Sequence, residues 1–446
     1  MVTPLLTGNA AAAWAARLAD VAYVPAFPIT PQTEIIETLS AWFHDGTMRG
    51  KFVTLDSEHS MMTAAGAAAA TGVRTFTATS SQGLLYAMEV LYSVSGWRVP
   101  FVLVNVSRAL AAPITLGPDH NDVLAARDSG FVQLHAETCQ EVFDSILMAY
   151  RIAEDPRVCL PVLVNLDGFV LSFTREPVSL PTEAQVREFL PPFRAVQPPF
   201  RASRPVAHGV AVLEAAQFSF FRYQLHHAMR AAIQVHTEAA QDFERIFGRR
   251  YDVIDPYRMD DAEYVLVMAG SFSTKGRAAV DRWRANGRRV GLLRLRMIRP
   301  RPTAALVTAL SHRKGIAVLD QNLSPGLGGI LFQEVAAAIA ASSNHRHPLP
   351  ALRSFVGGLG GKEISEAEFD HLLSRWTETP ASSDGHPQSD ICPADSCSSG
   401  FTSSACGGME YVAERAEPEL LMTEREWAMI ANRLAIAGKS PPEVTS

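Results

Sequence analysis

Glu58, in "TLDSEHS", falls in the first turn of a helical pattern. A carboxylate there can hold or move a proton on a ligand. The competing reading is simple stabilisation of a helix N-terminus by its macrodipole. Arg108, in "VNVSRAL", follows an apolar strand at its C-terminal end. Ligands of open α/β sheets sit in the crevice beyond such ends, and a guanidinium there suits bidentate capture of a carboxylate. A loop salt bridge is the alternative. "TATSSQG" likewise ends a strand and opens a helix. Its Ser80, Ser81 and Gly83 could cradle an anion on backbone N–H groups, or merely cap the helix. The run "VPAFPITPQTE", Val24 to Glu34, holds three prolines and two threonines between two helical patterns. It reads as a rigid helix entrance, with Thr30 as N-cap and Pro31 at the first helical position.

Other candidates carry less. His59, Asp119, His120 and Asp122 are metal-ligand types, but "GPDHNDV" has no second ligating element at a metal-site spacing, so it reads as a solvated loop. "GLGG" at 326–329 and at 358–361 is neither a P-loop nor G-x-G-x-x-G. Asp167-Gly168-Phe169 is not the Gly-Asp-Gly, with a downstream Asn, that typically fixes a Mg²⁺–diphosphate. The five cysteines contain no C-x-x-C, so neither an iron–sulfur cluster nor a zinc knuckle is expected on this chain.

The elements that must position these residues read as α/β. The chain has 446 residues, enough for several cores. A net charge of −6 leaves no basic footprint for nucleic acid. No apolar run reaches the roughly 20 residues that span a membrane. The N-terminus lacks a signal-peptide pattern, and a cytoplasmic protein is expected. Residues 1–190 alternate helices with the continuous apolar strands "FVLVNVS" and "PVLVNLD", as in a parallel sheet buried on both faces. Residues 191–260 open with a proline-rich linker and continue as a long helix. Residues 261–378 repeat the alternation, which predicts a second parallel sheet. Residues 379–446 are polar, contain Cys392, Cys397 and Cys406, and read as a largely disordered arm. At its end "TEREWAMIANRLAIAG" predicts an amphipathic helix with a Thr423/Glu426 capping box.

Taken in order, "AFPITPQTEIIE", "DSEHSMMTAAGAAAATGVRTFTATSSQGLLYAMEVL", "VPFVLVNVSRAL", "DHNDVLAARDSGF" and "LPVLVNLDGF" resemble the N-terminal domain of the 2-oxoacid:ferredoxin oxidoreductases. The multi-subunit members, for pyruvate or for phenylglyoxylate, carry it on the alpha subunit. "DAEYVLVMAGS", "GLLRLRMIRP" and "VLDQNLSPGLGG" resemble the transketolase-C-terminal-like domain of that subunit. The resemblance covers residues 8 to about 370. It departs at Phe27, where tyrosine is common, and at Arg301, where phenylalanine is usual.

The resemblance implies a pyrimidine-type domain that binds thiamine diphosphate together with a beta subunit. The beta subunit would supply Mg²⁺ and a [4Fe–4S] cluster, with gamma and ferredoxin-like delta subunits, a possible flavin/NAD subunit, and a dimer of hetero-oligomers. Glu58 matches the glutamate that hydrogen-bonds the cofactor's aminopyrimidine. Thr30 and Arg108 match the residues that bind the 2-oxoacid and its carboxylate. Pro28 and Pro31 would fix the Thr30 loop, and Pro28 and Ser81 would join Glu58 in binding the cofactor. The implied reaction is CoA-dependent oxidative decarboxylation of pyruvate or an aryl 2-oxoacid such as phenylglyoxylate, with electrons passing to ferredoxin or NAD. The alternatives are a non-catalytic scaffold subunit and a non-oxidative thiamine enzyme.

Overall fold

The computed structural model describes residues 3–195, 197–342, 350–377 and 389–391. The expected tail features at Cys392, Cys397, Cys406 and Thr423–Gly438 lie outside these residues.

Two sheets organise the chain. The first has five strands, in the order Met297–Arg299, Val132–His135, Val162–Asp167, Val102–Ser107 and Phe76–Thr79. The last four run parallel; Met297–Arg299 is antiparallel to its neighbour. Every residue of Val102–Ser107 and Val162–Asp167 is buried, as their largely apolar runs require. Two strands absent from the sequence reading, Tyr23–Ala26 and Lys51–Thr54, pair in parallel with each other. Pro25 is tolerated there because this small sheet has only two strands.

Alanine-rich helices pack closely against their neighbours. The helix Gly8–Leu18 starts at Thr7, whose hydroxyl accepts from Ala10 N, and buries Ala11, Ala12, Ala13, Ala15 and Ala16. A Cβ at Gly66, in the helix Glu58–Ala70, would fall 2.3 Å from Val94 Cγ1, so only glycine permits that contact. The helix Ala215–Phe247 lies across Cys139–Ala153. It buries Leu225, Ala228, Ala232, Val235, Ala239 and Phe243, a stripe at three- and four-residue spacing. It ends at Gly248 in the left-handed conformation.

The second sheet has six strands, in the order Ser389–Ile391, Ala351–Val356, Gly315–Asp320, Tyr264–Met268, Val290–Leu295 and Ile254–Tyr257. All neighbours are parallel except Ile254–Tyr257, which is antiparallel to its partner. The strand Ser389–Ile391 lies in the arm expected to be largely disordered.

The two sheets are tied together in two places. Met297–Arg299 follows directly on a second-sheet strand yet completes the first sheet. Beside it Arg294 and Arg296, both buried, converge on Glu141 of the first unit. Glu141 is itself buried; burial would raise its pKa, but the two guanidiniums outweigh that and hold it at about 2. The second tie is the loop 119–122, expected to be solvated. Asp119, His120 and Asp122 are instead buried. The loop fills the crevice at the strand ends of the second sheet: His120 N donates to Gln321 O at 2.8 Å, and Asn322 Nδ2 to Asn121 Oδ1 at 2.6 Å. His120 Nε2 lies 2.8 Å from Asp167 Oδ1, while Ser271 N and Oγ donate to Asp167 Oδ2 at 2.7 and 2.6 Å. Burial opposes charge on both partners, but their attraction wins. It raises the pKa of His120 and holds Asp167 at about 2.

Candidate active site

The proline-rich run does not open the helix as expected. The helix is Thr33–His44, and Gln32 precedes it with no side-chain cap. The reason lies in two amides. Asn9 Nδ2 donates to Pro31 O at 2.9 Å, occupying the carbonyl that a helix would use. Gln32 Nε2 donates to Phe27 O at 2.9 Å and cinches the loop from within. Pro28 and Thr30 are left exposed at its tip.

Arg108 meets this loop. Its Nη1 donates to Thr30 O at 2.8 Å and its Nη2 to Gln82 Oε1 at 2.9 Å. Arg108 is only 8% exposed, and its Nε, buried, has no partner. Two sequence candidates, Thr30 and Arg108, are thus in direct contact. A residue that the sequence reading passed over, Gln82, holds the guanidinium from the other side.

Glu58 is the first residue of its helix, after the N-cap Ser57, and is buried. Its carboxylate accepts no hydrogen bond among the described residues. It lies against Gly83: a Cβ there would fall 2.5 Å from Glu58 Oε1 and 2.6 Å from Thr79 Oγ1. Thr79 Oγ1 and Ser80 Oγ are both buried without partners. Gln82 and Gly83 therefore bridge the site. One residue touches Arg108, and the next makes room for Glu58 and Thr79.

Ser81 sets this turn. Its φ of 50° is a conformation that favours glycine. Ser81 N donates to Asp122 Oδ2 at 3.0 Å and Ser81 Oγ to Ala109 O at 3.1 Å. Both the amide and the hydroxyl of Ser81 are engaged within the chain, and Ser81 contributes the turn itself. Asp122 is the organiser beneath. It also accepts from Asn105 Nδ2 at 3.1 Å, Ser107 Oγ at 2.9 Å and Arg108 N at 3.3 Å. Burial raises its pKa against those hydrogen bonds. A signal for Asp122 was present: Asn105, Ser107 and Asn165 interrupt otherwise apolar buried strands, and buried polar groups need partners. His59 stands apart, partly exposed and 3.6 Å from Glu89. Among the described residues no three His, Cys, Asp or Glu side chains group as metal ligands.

Two family models match the chain. Residues 14–241 match the family model for the thiamine-diphosphate-binding domain of pyruvate flavodoxin/ferredoxin oxidoreductases. Residues 262–369 match that for core domain II of pyruvate:ferredoxin oxidoreductase. The chain is an alpha subunit of the 2-oxoacid:ferredoxin oxidoreductase family. It is 38% identical over 380 residues to a pyruvate synthase subunit PorA of Methanothermobacter thermautotrophicus, covering 85% of this chain and 96% of that one. The PorA subunit of Thermotoga maritima is 41% identical over 359 residues, with 80% and 90% covered. A ketoisovalerate oxidoreductase subunit VorA of Pyrococcus horikoshii is 39% identical over 365 residues, with 82% and 91% covered. The fold is also that of a 2-oxoglutarate:ferredoxin oxidoreductase from Magnetococcus marinus, at a TM-score of 0.64 and 18% identity, over 84% of this chain and 65% of that one. In this oxidoreductase subunit no described helix is long and apolar enough to cross a membrane.

Proposed function

We propose that this subunit catalyses, with its partners, the CoA-dependent oxidative decarboxylation of a short aliphatic 2-oxoacid. The balance is 2-oxoacid plus CoA to acyl-CoA, CO₂, two electrons and a proton. The electrons would pass to iron–sulfur clusters of partner subunits and then to ferredoxin. The observation that carries this reading is the single connected cluster of Thr30, Arg108, Gln82, Gly83 and Glu58. It places a guanidinium and a buried carboxylate on either side of one turn. Pyruvate and 2-oxoisovalerate both suit it, and similar identity to PorA and VorA relatives does not choose between them. An aryl substrate with NAD as acceptor rests on no observation of this chain.

The residues fit the pyrimidine end of thiamine diphosphate. Glu58 is buried and unpartnered, and the space beside it closes if Gly83 gains a methyl group. When bound, that cofactor supplies the nucleophilic carbon and the electron sink for decarboxylation. Glu58 Oε1 would take a hydrogen bond from the pyrimidine and hold a proton there. Arg108 would bind the substrate carboxylate, and the exposed Thr30 hydroxyl would orient the keto oxygen. The beta subunit would close the open side, bringing the diphosphate's Mg²⁺ and a [4Fe–4S] cluster.

Glu58→Gln tests this reading in the assembled complex. The general acid–base contribution removed is about 10²–10⁴-fold in kcat, with thermal unfolding unchanged. A variant that turns over at the wild-type rate would remove Glu58 from this role.

A further inference from the structure

We infer that Gln82 is a second ligand of the substrate carboxylate, a role that rests on the function proposed above. The orientation of its amide is fixed by its neighbours. Gln82 Oε1 accepts from Arg108 Nη2 at 2.9 Å and from Ser81 Oγ at 2.5 Å. Arg108 Nη2 can only donate, so turning the amide over would set donor against donor there. Nε2 must therefore point away from them, and it is buried with no partner.

A second donor in the same cluster is in the same state. Arg108 Nε is buried and unpartnered, while Nη1 and Nη2 are both engaged. The acceptors that Arg108, Gln82 and Ser81 meet are already engaged. Gln82 Oε1 and Thr30 O both accept from Arg108, and the Ser81 hydroxyl lies between Gln82 Oε1 and Ala109 O. Buried donors left unmade are costly, so native structures rarely keep them without a reason. A cationic Nε–H and an amide N–H, both without an acceptor, call for an acceptor from outside. An anion with two oxygens answers both, and the exposed Thr30 marks the side on which it enters. Gln82 thus does two things with one amide: its oxygen steadies Arg108, and its nitrogen donates to the 2-oxoacid carboxylate.

Those two roles separate experimentally. Gln82→Glu keeps the shape and keeps oxygen acceptors for Arg108 Nη2 and Ser81 Oγ. It removes the donor and brings a negative charge to the anion. If Gln82 only steadied Arg108, this change would be neutral. If it binds the carboxylate, KM for the 2-oxoacid rises about 10- to 100-fold, the usual worth of a hydrogen bond to an ion. KM for CoA stays put, and pyruvate and 2-oxoisovalerate are affected by the same factor, because the carboxylate is common to both. Gln82→Met, which removes both polar groups, raises KM as well. The measurement is steady-state dye reduction by the purified complex. A wild-type 2-oxoacid KM in either variant overturns the assignment, as does a KM change confined to one of the two substrates. A wild-type complex inactive with both acids overturns the function proposed above and this inference with it.

Discussion

At the scale of the residue, the site depends on what is missing at position 83. Glu58 Oε1 and Thr79 Oγ1 both approach the point where a Cβ would stand. Gly83→Ala must push one of them away. Displacing a reacting group by about 1 Å costs on the order of 100-fold in rate, so kcat should fall about that far. The helix itself should hold, because alanine is a better helix former than glycine. Stopped-flow turnover alongside circular dichroism would show whether the loss is local. Glu58, Arg108 and Thr30 were legible as candidates because each sits near the end of a strand or loop, and because the motifs around them are distinctive. Gln82 and Asp122 were not. Their importance comes from hydrogen bonds across 26 and 14 residues to Arg108, and nothing in local spacing announces such partners.

At the scale of the element, most helices and the long buried strands were readable from periodicity. The failures have physical causes. Tyr23–Ala26 is four residues long and contains a proline, so it resembled a loop. The helix at Thr33 starts late because Asn9, far away in sequence, takes the Pro31 carbonyl. The strand Met297–Arg299 belongs by sequence to the second sheet and by pairing to the first. What holds it is the pair of buried arginines on Glu141. Glu141→Gln leaves Arg296 without its anion, while Arg294 keeps Asp255 and Glu137. Breaking a buried ion pair from one side costs about 3–5 kcal/mol, readable by denaturant unfolding at neutral pH. The sign with pH follows from the depressed pKa. Glu141 contributes stability above its ordinary value of 4.5 and loses it as pH falls towards about 2. The gap between wild type and variant should therefore narrow on acidification below about 4.5. A gap that widened in acid would contradict the pairing.

At the scale of the whole molecule, two mainly parallel sheets were expected and both are present beside two small two-stranded ones, but the two large sheets are less separate than the sequence implied. The loop 119–122 plugs the strand ends of the second sheet, where an independent α/β domain would hold a ligand. Its back face carries Asp122, which fixes the Ser81 turn and the Arg108 backbone. The second unit thus braces the first, while the side bearing Thr30 stays open. That opening fits a site completed by another subunit. The most direct measurement is made on the complex purified with its neighbouring subunits. It is anaerobic, CoA-dependent reduction of a viologen dye, with pyruvate, 2-oxoisovalerate, 2-oxoglutarate and phenylglyoxylate supplied in turn. The account expects dye reduction and stoichiometric CO₂ with pyruvate or 2-oxoisovalerate. CO₂ release without CoA or dye reduction, or silence with all four acids in a preparation containing thiamine diphosphate and iron–sulfur clusters, would contradict it.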